Sequence, residues 1–392
     1  MRKILFLSHR IPLPPNKGDK IRSFHELKFF SRFFKVDLVT FAESDEDFKY
    51  KDALREYCQN IHIEPIHKMK GLLRGGISVL AGKSISEGYY RSNHVREVIQ
   101  KLTEKNSYHF IFCFSSQVAQ YVINRPEKKI MDFCDVDSDK WRQYSRKKRF
   151  PFNLLYKLES SRLSKYEHEI ATHFSLNLFS TPQELEVFQP QNGINYVLSN
   201  GVDTEYFSPN SRSKETAIIF VGAMDYFANI DAVVWFGRKV FPKLLEKIPG
   251  LKFYIIGSSP SKAVQKLSSF LPNIIVTGFV RDVRIYMDKA KIAVIPLHIA
   301  RGIQNKVLEA MSMELPVSIP ENILRSLKEC DRQNVLVFKD GEDLFNILSH
   351  FFSNEQKYRD MGKQLRKYVR QNYDWDSNLD EFRKHLVQEG IW

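Results

Sequence analysis

Apolar and polar positions fall in short alternating blocks along this chain. Residues 3–8 form an apolar run that reads as a strand, followed by a loop with Pro and Gly and then helical spacing over about residues 18–33. Further apolar runs at 36–41, 109–114, 129–133 and 174–179 read as strands, separated by helix-length segments. The pattern restarts near residue 215. Residues 217–221 predict a strand ending in Gly222, 229–247 an amphipathic helix, and 251–256 a strand ending in Gly257. Strands at 273–276, 292–296 and 335–338 repeat the theme, and no short repeat suggests a solenoid. Strands alternating with helices predict parallel sheets covered by helices, in two similar α/β halves. The Ser-, Pro- and Asn-containing stretch 208–214 reads as the join. The tail is helical over 354–371 and 376–389. Its apolar face (Tyr373, Trp375, Leu379, Phe382, Leu386) must dock somewhere.

Composition narrows the class. A chain of 392 residues, 43% hydrophobic and 27% charged, suits a globular protein of two domains. Four scattered Cys without a C-x-x-C pair argue against a disulfide framework or a Cys-based zinc site. The His pattern contains no H-E-x-x-H pair, and no G-x-x-x-x-G-K-[ST] loop is present, so a zinc enzyme and a P-loop hydrolase are not expected. The apolar run at the N-terminus is too short for a signal peptide, and no run reaches a membrane span, so a cytoplasmic location is expected. A net charge of +13, from 59 Lys+Arg against 46 Asp+Glu, favours an anionic partner: nucleic acid, an anionic membrane face or a phosphorylated substrate.

Four segments carry candidate chemistry. From Ile295 to Met311 the chain reads strand, loop, helix, with the helix starting near Ile303. The free N–H groups and positive dipole end of its first turn make an anion site. Gly302, Ile303 and Asn305 form that turn, and Arg301 and Lys306 flank it and could cradle a diphosphate. Glu309 could accept bonds from ribose hydroxyls. An ordinary amphipathic helix with surface charges is the other reading. The loop 11–20 is the second candidate: Gly18 lets backbone approach a ligand and opens a helix, with Lys17, Asp19, Lys20 and Arg22 beside it. A plain structural loop fits as well. Asp132, Asp135, Asp137 and Asp139 suggest a metal site by number, a base or sugar-orienting role for Asp135, or simply a helix cap. Residues 140–149 hold six basic side chains and no acid, interleaved with Trp141 and Tyr144 and followed by Phe150 and Phe152. This suits an anionic lipid surface, a phosphate-linked acceptor or RNA, or is a solvated charged face.

Several of these segments carry a resemblance. Arg301-Gly302-Ile303 through Leu308-Glu309-Ala310-Met311, then Leu315-Pro316-Val317, resembles the nucleotide-sugar motif of glycosyltransferase family 4. Asn200-Gly201-Val202-Asp203, Phe220-Val221-Gly222, Phe253 to Gly257, Val276-Thr277-Gly278-Phe279-Val280 and Tyr373-Asp374-Trp375 resemble other elements of that family. More narrowly, His9-Arg10-Ile11-Pro12, Lys17 to Arg22, Asp135 to Trp141 and Gly302 to Lys306 are similar to sugar transferases of exopolysaccharide and exosortase-linked loci. The chain also departs from the pattern. Arg301 stands where the first Glu of the family pair is usual, Ala223 and Asn229 where cations are usual, and Glu314 where a Gly is usual. Arg301 and Lys306 are the candidates to replace the missing cations, because a diphosphate leaving group needs positive charge.

The resemblance implies an α/β, GT-B fold: two Rossmann-like domains facing a central cleft, with the C-terminal helix crossing back to the first. Residues 1–207 with 375–392 would bind the acceptor and 208–374 the nucleotide sugar. The implied activity is metal-independent, retaining transfer of a sugar from a nucleotide-diphosphate donor to a glycan or lipid-linked acceptor, in exopolysaccharide or cell-envelope glycan synthesis. The donor is a substrate, and no cofactor and no nucleic acid partner are expected. Asp135, Arg301 and Lys306 would be catalytic. Gly18, Asp19, Lys20, Gly222, Gly257, Gly278, Val280, Gly302, Ile303, Asn305 and Glu309 would bind substrate. The basic run would touch the inner membrane face. A nucleotide-sugar epimerase on the same fold, or a non-catalytic basic module for glycan or nucleic acid, are the alternatives.

Overall fold

In a computed structural model, residues 2–190, 193–210, 213–300 and 302–392 are described. Part of the 208–214 join and Arg301 therefore lie outside the described residues. The chain forms two compact units, Met1–Ser199 with Leu379–Trp392, and Asn200–Asn378.

Each unit is built on one parallel sheet. The first comprises β1 (Lys3–Ser8), β2 (Lys35–Ala42), β3 (Asn60–Pro65), β4 (Ile111–Phe114), β5 (Lys129–Cys134), β6 (Leu176–Phe179) and β7 (Ile194–Val197), in the order β3-β2-β1-β4-β5-β6-β7. The second comprises β8 (Ala217–Val221), β9 (Lys252–Ile256), β10 (Ile274–Gly278), β11 (Ile292–Val294), β12 (Val317–Pro320) and β13 (Leu336–Phe338), in the order β10-β9-β8-β11-β12-β13. Both are the doubly wound arrangement, and each reverses direction once: at β1/β4 and at β8/β11. The central strands are mostly apolar because helices cover both faces. Ile4, Leu5, Phe6, Ile111, Phe112, Ile218 and Phe253 are fully buried.

The helices follow the expected pattern with local corrections. The expected 229–247 helix is two, Phe227–Lys239 and Phe241–Lys247. Pro242 lacks a donor and is tolerated only in a first turn, so the helix breaks before it. The helix expected to begin at Ile303 begins at Asn305, because Gly302 has φ +53° and Gln304 is extended. That helix ends in a Schellman turn, with Leu315 N–H donating to the Ala310 carbonyl and Glu314 N–H to that of Met311. Glu314 adopts φ +55° there, the conformation for which Gly is usual, so this chain keeps the turn and carries the strain.

The tail docks on the first unit. The helix Trp375–Gln388 buries Leu379, Phe382 and Leu386, and the Tyr196 ring lies 5.5 Å from that of Phe382 and 4.5 Å from His385. Trp392 ends the chain among Phe29, Phe30, Phe33 and Phe34. Trp375 itself belongs to the second unit, packed on Gly201 so tightly that a Cβ there would lie 2.7 Å from its ring.

Candidate active site

In open α/β sheets the crevice for ligands opens where the strand order reverses, outside the carboxyl ends of the strands. In the second unit that place is the end of β8 and β11. Gly222 follows β8, Gly257 follows β9 and Gly278 ends β10, and their backbones lie side by side. Gly222 N–H donates to the Ile256 carbonyl at 3.0 Å and Gly257 N–H to the Gly278 carbonyl at 3.1 Å. A Cβ on Gly257 would lie 1.8 Å from the Gly222 oxygen, so only glycine fits. Gly278 has φ +70°. Val280 follows in the loop, half-buried, beside an exposed Phe279.

Across the reversal, the helix Asn305–Ser312 points its first turn at the same end of the sheet. Ile303 is buried beneath it, and the Asn200 side-chain amide donates to Asn305 Oδ1 at 3.2 Å. Lys306 reaches from this helix across to β8. Its Nζ donates to Asn229 Oδ1 at 2.6 Å and stands 4.9 Å from the centre of the Phe220 ring. Asn229 Nδ2 in turn donates to the Ala223 carbonyl at 2.9 Å. A Cβ on Gly222 would come within 3.2 Å of the Lys306 amine. Lys306 thus meets Asn229 directly, and Ala223 only through the Asn229 amide. Burial pushes the Lys306 amine down to about 8, against the charge of Glu309. Burial also lifts the Glu309 carboxyl to about 7, against the charge of Lys306. The arrangement is an ammonium beside a helix N-terminus and a backbone floor of glycine, suited to a diphosphate.

In the first unit the reversal lies between β1 and β4. His9 follows β1, and its ring stacks on Phe114 at the end of β4, 5.9 Å centre to centre. Gly18 opens the helix Gly18–Ser31, with open space where its Cβ would be. Asp19 accepts from Arg10 Nη1 at 2.7 Å and lies 3.4 Å from His9 Nε2. Burial opposes its ionisation, but His9 and Arg10 outweigh that and hold its carboxyl well below the usual range. In the sequence, His9 and Arg10 stand out only through the family resemblance. Their pairing with Asp19 comes from the sheet order.

Two charges expected at this loop are used elsewhere. Lys20 is buried, bonding Asp47 at 3.1 Å and the Leu13 carbonyl at 3.4 Å. Arg22 is fully buried on Asp132. The four aspartates likewise spread to separate partners. Asp135 accepts from Ser180 Oγ at 2.7 Å, Asp137 from Gln117 Nε2 at 3.0 Å, and Asp139 pairs with Arg142. Burial raises the Asp135 carboxyl, the Ser180 bond opposes it and the charge of Asp137 adds to it. A raised carboxyl suits proton transfer.

Residues 215–353, within the second unit, match the family model Glycosyl transferases group 1. A relative in Klebsiella pneumoniae, an uncharacterized 44.6 kDa protein in the cps region, is 21% identical over 387 residues, 95% of this chain and 97% of its own. Among solved structures, Anabaena HepE in complex with UDP superposes with a TM-score of 0.70 at 13% identity, over 98% of this chain and all of HepE. Sucrose-phosphate synthase from Thermosynechococcus elongatus does so at 0.72 and 14%, over 99% of both chains. These likenesses establish the fold as the GT-B type expected from the sequence.

Proposed function

We propose that this protein transfers a sugar from a nucleotide-diphosphate donor to a hydroxyl of a glycan or lipid-linked acceptor, with retention, in exopolysaccharide or cell-envelope glycan synthesis. The observation that carries the reading is the Lys306 ammonium over the end of β8, bonded to Asn229. It supplies positive charge beside Ala223 and Asn229, which carry none. HepE has been solved with UDP and with UDP-glucose, and the Klebsiella relative lies in a cps region. Both support a nucleotide sugar used for surface polysaccharide.

In this reading the bond from the anomeric carbon to the diphosphate oxygen breaks and the diphosphate leaves with the electron pair. The acceptor oxygen bonds to that carbon and its hydroxyl proton departs. Lys306, Arg301 and the N–H groups at Gly302, Ile303 and Asn305 meet the charge that develops on the diphosphate. Glu309 holds the ribose, and the backbone at Gly222, Gly257, Gly278 and Val280 bounds the nucleoside. In the first unit the Gly18–Asp19 turn faces the acceptor, and Asp135 orients the acceptor hydroxyl or accepts its proton.

The test is donor binding against pH. An amine that titrates near 8 is charged below that pH and neutral above it, so donor affinity falls as pH rises through about 8. Lys306→Arg keeps its charge and flattens that limb. Lys306→Ala lowers affinity at neutral pH by ~1.5–3 kcal/mol, a charge-assisted bond. Glu309→Gln, run alongside, removes the carboxyl that titrates near 7. Calorimetric titration with UDP-glucose and other nucleotide sugars reads all three. Unchanged affinity in Lys306→Ala removes Lys306 from the donor site.

A further inference from the structure

The helix Lys68–Leu80 is packed inside out for a globular protein. Its inward face is Gly71, Gly75 and Ser78. A Cβ on Gly71 would lie 2.7 Å from the Tyr89 ring, and one on Gly75 2.7 Å from the Ile85 side chain. Only a face of small residues fits against the segment that follows, so the helix cannot roll over. Its large apolar residues point outward: Met69, Leu72, Leu73, Ile77 and Leu80, from 50% to 89% exposed. These positions form one stripe at helical spacing. Scattered exposed apolar residues need no explanation, but a continuous stripe does.

Charge says what covers it. The helix contains no acid, and the chain carries none between Glu64 and Glu87. Lys68, Lys70 and Lys83 flank the stripe, all exposed. A second basic and apolar element is tied to it. Arg162, on the helix Phe152–His173, donates to the Val79 carbonyl at 2.5 Å and to the Lys83 carbonyl at 3.1 Å. Glu159 accepts from the Ile85 and Ser86 N–H groups. One turn before Arg162 comes exposed Leu158, then Leu155, Leu154, Phe152 and Phe150, the last 80% exposed. The acid-free run 140–158 contains them.

We infer that the apolar stripe of the 68–80 helix is a membrane-docking face that inserts into the interfacial region of an anionic bilayer. Apolar residues flanked by Lys and Arg are the pattern of a helix lying in that plane. Anionic headgroups match the cations. A second copy of the chain would set the same cations against each other. No helix among the described residues is long and apolar enough to cross a membrane, so the contact is with one face. The inference does not rest on the donor reading, and vesicle binding and donor binding fail separately.

The experiment is flotation of the full chain with vesicles of phosphatidylcholine, alone or with about 30 mol% phosphatidylglycerol, at ~0.05 and ~0.5 M salt. The chain is expected to float with the anionic vesicles at least ~10-fold more than with neutral ones, and less at high salt. The triple change Leu72→Gln, Leu73→Gln, Ile77→Gln abolishes flotation even at low salt. Neutralising Arg146, Lys147, Lys148 and Arg149 weakens it and flattens the salt dependence. Leu73→Trp, which keeps the face apolar, shows a blue-shifted emission on anionic vesicles only. Flotation unaffected by the triple change, or a Leu73→Trp spectrum that ignores vesicles, overturns the inference. So does a dimer on sizing that the triple change converts to monomer, since the occupant is then a second copy.

Discussion

Gly257→Ala is expected to destabilise the second unit by more than ~3 kcal/mol and to abolish donor binding. The new Cβ would sit 1.8 Å from the Gly222 oxygen and 2.7 Å from its carbonyl carbon. Both are backbone atoms in a paired strand end, so no rotamer change relieves the overlap. β8 and β9 must part where Gly222 N–H meets the Ile256 carbonyl and Met224 N–H meets that of Ser258. Each bond lost costs about 0.5–1.5 kcal/mol, with the steric strain added. Moving Gly222 also moves the wall against which the Lys306 amine rests. Gly250→Ala is the control: its φ is +82° but its Cβ would face open space, so only the conformational cost of ~1–2 kcal/mol remains. Urea denaturation followed by far-UV circular dichroism separates the two. Equal shifts for both variants would show that the crowding at Gly257 is relieved by movement.

Arg22→Ala should cost the first unit ~3–5 kcal/mol, as breaking a buried ion cluster does. The guanidinium has no exposed surface and grips both Asp132 oxygens, at 2.6 and 3.1 Å. It also lies 3.3 Å from Glu26 and donates to the Leu198 carbonyl at 2.6 Å. Burial and the charge of Asp132 lift the Glu26 carboxyl well above its usual range despite Arg22. Without Arg22, two buried carboxyls lose their cation, and the Glu26 carboxyl is pushed further up. A carboxyl raised in the folded state binds protons more tightly there than in the unfolded chain. Its cost is absent below the unfolded value of ~4 and grows as pH rises above it. The deficit of the variant should therefore be larger at pH 8 than at pH 5. A deficit independent of pH would mean that lost packing, and not charge, is what Arg22 contributes.

The buried interior of this fold was legible because central strands of a parallel sheet are apolar on both faces. The edge strands of the first sheet were not. Asn60–Pro65 and Ile194–Val197 border the first sheet, half-exposed, and their mixed polarity resembles loop. Lys306 was legible as a cation near a helix start, but its reach to Asn229 depends on the strand order and not on spacing. Lys20 and Arg22 read as ligand charges because each stands beside Gly18, yet Arg22 finds its partner 110 residues away. The 68–80 helix shows its amphipathic period in sequence, but that Gly71 and Gly75 form the inward face follows only from Tyr89 and Ile85.

Hydrogen exchange on the full chain reads whether a diphosphate is held between the end of β8 and the start of the 305–312 helix. Backbone amides of 222–229 and 302–309 are predicted to exchange more slowly with a nucleotide-diphosphate sugar than with the free sugar, in wild type and not in Lys306→Ala. If no nucleotide sugar slows these amides, or if any slowing persists in Lys306→Ala, the donor site is not the one described.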